Sequence, residues 1–480
     1  MTQVVIGLDI GTTSVSCVVI QQDGRLLTSI TSPHNAGVAD LPSGCAEQNP
    51  KVLRQAAFDA LRRVMADSPG TTVAALGVTG QMHSTVLLNA ANSVIGNVIT
   101  WQDKRSLKIG LAGQSHLEEL RQRAGDIHMQ PTGCRLAPGY LGTTLYALKQ
   151  AGQLPADLHH VSFVADWMVS VLTDQLPTTD RSHAASAGLY NLAQDCWSRP
   201  MLEAAEVSMD WLPVVSASGV PVGTVTDTVA EQTGMPVGTP VCNAIGDNQA
   251  AVISSLPSDP NSLLINVGTG GQIVWRVDRF RRVVGMDTRY LPTGSDAGGF
   301  MLVGAGLCGG DAYAWVNQTI RHWLSDFGVS LSADEIWQRL AVLMAENGNN
   351  ESLVCEPFFF GTRPEPDRRG VFCGVSADNF TPAGVAHSVL RGIAESMYDV
   401  YQHATGHRPE PLRRIVMSGN AARRNPALVA AVAKRFHVPT FVSGCYEEAA
   451  TGAAMLAGVT VGCWSDLSEA EKCLNRFGTM

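Results

Sequence analysis

Charge is scarce in this sequence. Asp, Glu, Lys and Arg together make up 16% of its 480 residues and aromatic residues 6%, and the net charge of −9 is spread along the chain without a Lys/Arg stripe. Nothing here would follow a phosphate backbone, so no nucleic-acid partner is expected. The eleven cysteines include no C-x-x-C pair, which argues against a zinc ribbon or a disulfide framework and suits reduced thiols in a cytoplasmic protein. The start "MTQVVIGLDIG" lacks the basic residues and long apolar core of a signal peptide. Residues 68–102 contain no Asp, Glu, Lys or Arg, but Gln81, His83, Asn89, Asn92 and several glycines interrupt them, so they read as buried strands joined by turns and no membrane contact is expected. The G-x-x-x-x-G-K-[ST] sequence is also missing, which removes the phosphate-loop NTPases.

What is present is enough apolar material, 45% of residues, to fill the two or three domains that this length favours. Residues 4–10, 15–20 and 26–31 are β-rich runs separated by Gly-Thr-Thr and Asp23-Gly24, which predicts a three-stranded meander. Asn49 offers a cap and Pro50 suits the first helical position. Leu53, Ala56, Ala60, Leu61, Val64 and Met65 then recur at helical spacing, and 73–79 is again a strand. A mixed sheet flanked by helices follows from that order, an α/β fold. The pattern restarts downstream in "LLINVGTGGQIVW", followed by a long helix in "PAGVAHSVLRGIAESMYDVY", a strand at 415–418 and a helix at 425–436. The chain is therefore expected to be a distant duplication, with domains 1–250 and 251–480 and a cleft between them.

Glycine-rich stretches must be told apart by context. Gly304, Gly306 and Gly309 spell G-x-G-x-x-G after "FMLV", but the segment "QTIRHWLSDFGVS" that should supply the second strand of a dinucleotide site is not a β-run. They read as a close-packed loop opening a helix from Asp311 near the cleft. The tips Gly11-Thr12-Thr13 and Gly268-Thr269-Gly270 fit phosphate better, because glycine lets backbone N–H groups approach an oxyanion and threonine adds a hydroxyl. Either tip alone also reads as an ordinary hairpin turn; two together can grip one polyphosphate. "IVMSGNAARRN" adds a strand-glycine-helix junction at Gly419 and Asn420, a shelf for a flat ring such as adenine.

Carboxylates stand beside these loops. Asp9 ends a strand just before the first tip, placed to hold a hydrated Mg²⁺ or simply to stabilise the turn. Asp247 in "AIGDNQAAV" reads as a helix N-cap that at a cleft also suits a general base. "GVTGQMHST" puts Gln81 and His83 after a strand, where buried polar groups need partners. "ITWQDKR" adds Trp101, Gln102, Asp103 and Arg105, which read either as a polyhydroxyl-binding face or as a surface salt bridge beside a core tryptophan.

In this order, "DIGTTS", "GQMHS", "TWQDKR", "IGDNQAA", "NVGTGG", "GVFCGV" and "MSGNAARRN" resemble the FGGY family of carbohydrate kinases, within the actin-like ATPase superfamily, over nearly the whole chain. The resemblance implies two ribonuclease-H-like domains with ATP and Mg²⁺ between them and a sugar held mainly by the first. It implies that Asp9 serves metal and Gly11, Thr12 and Thr13 phosphate, that Gln81, Met82, His83 and Asp103 contact the sugar, and that Asp247 is the catalytic base and a second metal contact. Gly268 and Thr269 would clasp phosphate, and Gly419 and Asn420 would border the adenosine. "TWQD", "TGC" at residues 132–134 and "DRSHAASAGLYN" with Trp197 are most similar to the ketose kinases of the family, implying sedoheptulose as acceptor, with xylulose or another ketose or polyol as the alternative. A catalytically idle sugar sensor is the competing class. A monomer or homodimer is expected. Two segments depart from the family pattern: "GTRPEPDRRG" has Thr362 where relatives often have Glu, and in "PGYLGTTLYALKQ" the lysine expected in the family's mid-chain signature is not evident.

Overall fold

The computed structural model describes residues 2–110, 113–293, 298–346, 352–361, 365, 367–404, 411–445 and 447–474. The strands used below are β1 (Thr2–Ile10), β2 (Ser14–Gln21), β3 (Leu26–Pro33), β4 (Thr71–Gly80), β5 (Pro221–Thr224), β6 (Pro240–Cys242), β7 (Ser262–Val267), β8 (Gly271–Val277), β9 (Asp287–Leu291), β10 (Gly299–Leu307), β11 (Arg414–Ser418) and β12 (Thr440–Val442). The helices are α1 (Pro50–Ala66), α2 (Leu141–Gln150), α3 (Val164–Thr173), α4 (Arg181–Ser186), α5 (Asp247–Ser255), α6 (Gly310–Asp326), α7 (Pro382–His403), α8 (Asn420–Arg424), α9 (Pro426–Phe436) and α10 (Glu448–Thr460).

Side chains of β1 alternate between two cores. Val4, Ile6, Leu8 and Ile10 pack with Leu53, Phe58, Leu61 and Val64 of α1, whose first turn is capped by the Asn49 side chain accepting Lys51 N–H. Val5 and Gly7 face the other way, onto α10, and Asp9 is next in that row at the strand's end. A strand covered on both faces has to be apolar throughout, which is why "VVIGL" shows no polar alternation.

The first sheet runs β5-β6-β4-β1-β2-β3 and the second β9-β10-β8-β7-β11-β12. In the first, β1, β2 and β3 form an antiparallel meander, β4 lies parallel to β1 and β6 parallel to β4; in the second, β7, β8 and β10 are antiparallel neighbours in the same arrangement, β11 lies parallel to β7 and β12 parallel to β11. The expected duplication is thus present as two ribonuclease-H-like domains, mixed sheets flanked by helices. Between the sheets α5 and α10 share one core with Val5, Ile20, Leu264, Val274 and Val416. Small residues allow it: a Cβ on Gly452 would lie 1.8 Å from the Ala250 carbonyl oxygen, on Gly7 1.9 Å from that of Ala450, and on Gly77 2.2 Å from that of Ala453.

Two local expectations need correction. Gly304 and Gly306 lie inside β10 rather than in a loop, because their strand pairs with β8 through Ala305; only Cys308 and Gly309 form the connection, and α6 starts at Gly310. "QTIRHWLSDFGVS" is largely helical, as its rejection as a strand requires. Asp247 is the first helical residue of α5 and Gly246 the cap, since the Asp247 side chain accepts only the adjacent Asn248 N–H. Thr362 lies outside the described residues. All eleven cysteines are free thiols, and no helix among the described residues is long and apolar enough to cross a membrane.

Candidate functional site

The first tip is tied to the end of β4. Because β4 runs parallel to β1 with Gly80 opposite Ile10, the chain leaving it delivers Gln81 beside the tip, where Gln81 N–H donates to the Ile10 carbonyl (3.0 Å). The buried Gln81 amide then donates to Gln48 Oε1 (2.7 Å) and accepts from Thr12 Oγ1 (3.4 Å), while Gln48 Nε2 donates to the Thr12 carbonyl (2.6 Å). Trp101 Nε1 reaches Thr12 Oγ1 at 2.9 Å. A ring of amides therefore links the sugar-side motif to the phosphate-side tip, which explains polar residues at buried positions. Gln48, in "AEQNP", was not singled out from the sequence.

Asp247 arrives at the same place by another route. Ile245 and Gly246 pair with Thr79 and Gly80 at the end of β4, Thr79 Oγ1 donates to the Ile245 carbonyl (2.7 Å), and Met82 packs its sulfur where a Cβ on Gly246 would lie. Burial raises the Asp9 carboxyl to about 8, with further contributions from the negative charges of Asp247 and Glu447. Burial likewise raises Asp247 to about 6, opposed by the Asn248 N–H and the charges of His183 and Arg289. Asp9 Oδ1 is buried and has no hydrogen-bond partner among the described residues. Two crowded carboxylates with an orphaned oxygen suit a hard divalent cation, and no larger group of metal-ligating side chains exists among the described residues. Mg²⁺ commonly needs no more, since it binds through one or two carboxylates plus substrate phosphates.

A stability prediction follows from these charges. A carboxyl whose folded value lies above its unfolded one loses stability as pH rises from about 4 to its folded value. Asp9 therefore weakens the metal-free fold up to about pH 8. Burial opposes the charge of His183, but Asp166, Asp180 and Asp247 outweigh it and raise the imidazole to about 8, so its contribution is full below about 6.5 and fades as pH passes 8. Metal-free protein should melt lower at pH 8.5 than at 6.5 in calorimetry. Asp9→Asn should be more stable than wild type at pH 8.5, by about 1–3 kcal/mol, and Mg²⁺ should raise the wild-type Tm more at pH 8.5 than at pH 5.

On the sugar side, His83 has a left-handed backbone (φ 68°), unusual for a side-chain-bearing residue. Its N–H donates to Ser186 Oγ (3.2 Å), Nδ1 pairs with the Ser186 carbonyl (2.8 Å), and the ring stacks on Tyr140 at 4.1 Å. Tyr140 caps α2 in "PGYLG", and sequence reasoning missed it. Asp103 and Arg105 form a buried pair while Trp101 is 45% exposed, the reverse of a surface salt bridge beside a core tryptophan. Asp103 accepts the backbone N–H groups of Ala46 and Arg105 and two guanidinium bonds, which fills its four acceptor positions. In this arrangement it supports the strand of Glu47 and Gln48 through Arg105, and a sugar hydroxyl would have to displace one of those bonds.

The second tip is backed by the opening of α6. Gly310 and Asp311 N–H donate to the carbonyls of Gly268 and Thr269 (both 2.9 Å), leaving Thr269 and Gly270 exposed. Gly419 (φ 89°) packs so closely on Val267 that a Cβ would lie 2.5 Å from its carbonyl oxygen, bringing Asn420 and α8 beside the same tip. Asn248, next to Asp247, joins the halves: its Nδ2 donates to Gln272 Oε1 on β8 (3.1 Å) and its Oδ1 accepts from Arg289 on β9 (3.0 Å). The "TGC" loop meets β9 as well, with Thr288 N–H donating to the Gly133 carbonyl (2.9 Å). By contrast Trp197 lines a separate cavity of about 890 Å³ with Tyr190 and Asp195, to which none of the expected site residues contributes.

The FGGY carbohydrate kinase N-terminal domain model matches residues 4–254, and the C-terminal domain model residues 264–461. Sedoheptulokinase of Mus musculus is 25% identical over 94% of this chain and 97% of its own length. Glycerol kinase of Koribacter versatilis is 27% identical over 96% and 90%. The crystal structure of a xylulose kinase from Rhodospirillum rubrum superposes with a TM-score of 0.86 at 21% identity, covering 99% of this chain and 93% of that one.

Proposed function

Because the chain belongs to the FGGY family of carbohydrate kinases and is a phosphotransferase, we propose that it transfers the γ-phosphoryl group of ATP to a terminal hydroxyl of a ketose, sedoheptulose first, giving sedoheptulose 7-phosphate. Kinases of this family use ATP, typically with a divalent metal. The observation that carries the reading is the pair Asp9 and Asp247, two buried carboxylates close enough for the charge of one to raise the other, with one Asp9 oxygen left unpartnered. A non-catalytic sugar sensor has no use for such a pair.

Asp247 accepts the proton of the attacking hydroxyl; burial holds its carboxyl near the working pH, where a base is effective. Asp9, with Asp247, would hold Mg²⁺, which when bound neutralises phosphate charge. The Gly11-Thr12-Thr13 tip on one side and the Gly268-Thr269 tip on the other hold the polyphosphate through the N–H groups of Thr12, Thr13 and Thr269 and the hydroxyls of Thr13 and Thr269, and Gly419 and Asn420 border the adenosine. The N–H groups of Gly11 and Gly268 are bonded to the Ser14 and Gly270 carbonyls within their own turns. Gln81, Met82 and His83 orient the sugar, Asp103 acting through Arg105 and Gln48. We take the lobes to divide near residue 250, so that closure brings the second tip toward Asp247 and excludes water.

Sedoheptulose is placed before xylulose and glycerol on "TWQD", "TGC" and "DRSHAASAGLYN", the segments most similar to the family's ketose kinases, the identity to the mouse sedoheptulokinase (25%) being no higher than that to the glycerol kinase (27%). ADP release should be followed with sedoheptulose, xylulose, ribulose and glycerol at equal concentrations. The highest kcat/KM is expected with sedoheptulose; a glycerol preference would overturn the ketose assignment while keeping the transfer.

A further inference from the structure

The short helix α4 touches the backbone just before the proposed base and the proposed sugar contact itself. Its Ser182 Oγ accepts the N–H of Gly246, the residue before Asp247, at 2.8 Å. Four residues on, Ser186 holds His83 through its hydroxyl and carbonyl. A six-residue helix cannot hold itself in place. Buried charge does that here. His183 is fully buried, with its ring stacked 5.2 Å from Phe163 and its Nδ1 3.4 Å from Asp166 Oδ1 on α3 and 3.7 Å from Asp180 Oδ1 at the start of α4. Asp180 also accepts Ser182 Oγ (2.6 Å), His183 N–H (2.9 Å) and Ser218 Oγ.

Both oxygens of Asp166 and both ring nitrogens of His183 are buried without a well-formed hydrogen bond among the described residues. The charged groups facing this ring are Asp166, Asp180 and, more distantly, Asp247. Both carboxylates face the same ring nitrogen, so one Nδ1–H lies between them, and the imidazolium form also supplies the counter-charge that two buried carboxylates would otherwise lack. The adjacent Arg181 does not serve, because it pairs with Asp195.

We propose that His183 is a positioning residue for phosphoryl transfer: clamped as a cation between Asp166 and Asp180, it fixes the helix that presents Ser182 to the backbone immediately before the base and Ser186 to the sugar-side histidine. This rests on the assignment of Asp247 as base and His83 as sugar contact. One short helix then sets two geometries at once, and loosening it costs turnover through one serine and sugar affinity through the other.

Steady-state kinetics of the full-length enzyme with ATP, Mg²⁺ and its preferred ketose test this. Ser182→Ala should lower kcat about tenfold with KM for the sugar within about twofold. Ser186→Ala should raise that KM about fivefold with a smaller effect on kcat. His183→Gln should do both, and the neutral pair Asp166→Asn/His183→Gln should recover about half or more of the lost log kcat. If His183→Gln does not fold, the serine variants decide. Wild-type constants in both serine variants, or uniform kcat losses that merely track lost folded protein, overturn the proposal. Asp247→Asn in the same series separates the two assignments: if it keeps turnover the base assignment fails, whereas an inactive Asp247→Asn beside unaffected serine variants sinks only the positioning role.

Discussion

Asp247→Asn is expected to lower kcat by about 10²–10⁴, with the melting temperature and the KM for sugar near wild type. Asparagine keeps the size of the side chain and an oxygen that can accept the Asn248 N–H, the one hydrogen bond shown for this carboxylate. The fold around it does not depend on the charge, because Ile245 and Gly246 are held by Thr79 and Ser182 through backbone atoms. What is lost is the ability to accept a proton. Removing a buried carboxylate that faces Asp9 also relieves repulsion, so a small rise in Tm at neutral pH would agree with this chemistry. Turnover close to wild type, measured by ADP release dependent on the ketose, would remove Asp247 from the role of base.

Gly452→Val is expected to be among the most damaging single substitutions in the chain, destabilising it by about 3 kcal/mol or more. The obstruction is backbone rather than a movable side chain: the new Cβ would lie 1.8 Å from the Ala250 carbonyl oxygen and 2.5 Å from its carbon. Accommodation requires α10 to move away from α5, yet α10 is also pinned to β1 and β4 at Gly7 and Gly77. The first of those strands carries Asp9 next to its end and the second ends at Gly80, so any surviving fold should also bind Mg²⁺ and nucleotide more weakly. Gly37→Ala is the control, with nothing within 4 Å of its Cβ, and should stay within about 0.5 kcal/mol of wild type. Chemical denaturation of the two variants checks the contrast.

Local periodicity and turn chemistry made the meanders and the α1 cap legible in the sequence, because each depends on residues a few positions apart. The duplication was legible for the same reason, since a Gly-Thr tip between apolar strands occurs twice in similar surroundings. The packing of α10 was not read, although "EAATGAAMLAGVT" carries a signal in its small residues at helical spacing: a face without side chains is where another backbone can approach. Gln48, Tyr140 and Asn248 escaped notice because nothing local marks them. Their partners, Gln81, His83 and Gln272, are remote in sequence and adjacent only once the strands are paired. Asp103 drew attention through its polar neighbours, but only the folded chain shows its acceptor positions taken by Ala46 and Arg105. For Asp247 the helix-start signal was right to within one residue, and the difference matters, since a carboxylate not engaged in capping the helix is available for chemistry.

The most direct measurement is the product of a single incubation of wild-type enzyme with ATP, Mg²⁺ and sedoheptulose, analysed by mass spectrometry and phosphorus NMR. The expected result is one sugar monophosphate formed per ADP, phosphorylated at the terminal carbon, and no ADP without sugar. ADP released with inorganic phosphate in place of a sugar phosphate, whichever ketose or polyol is supplied, would contradict it.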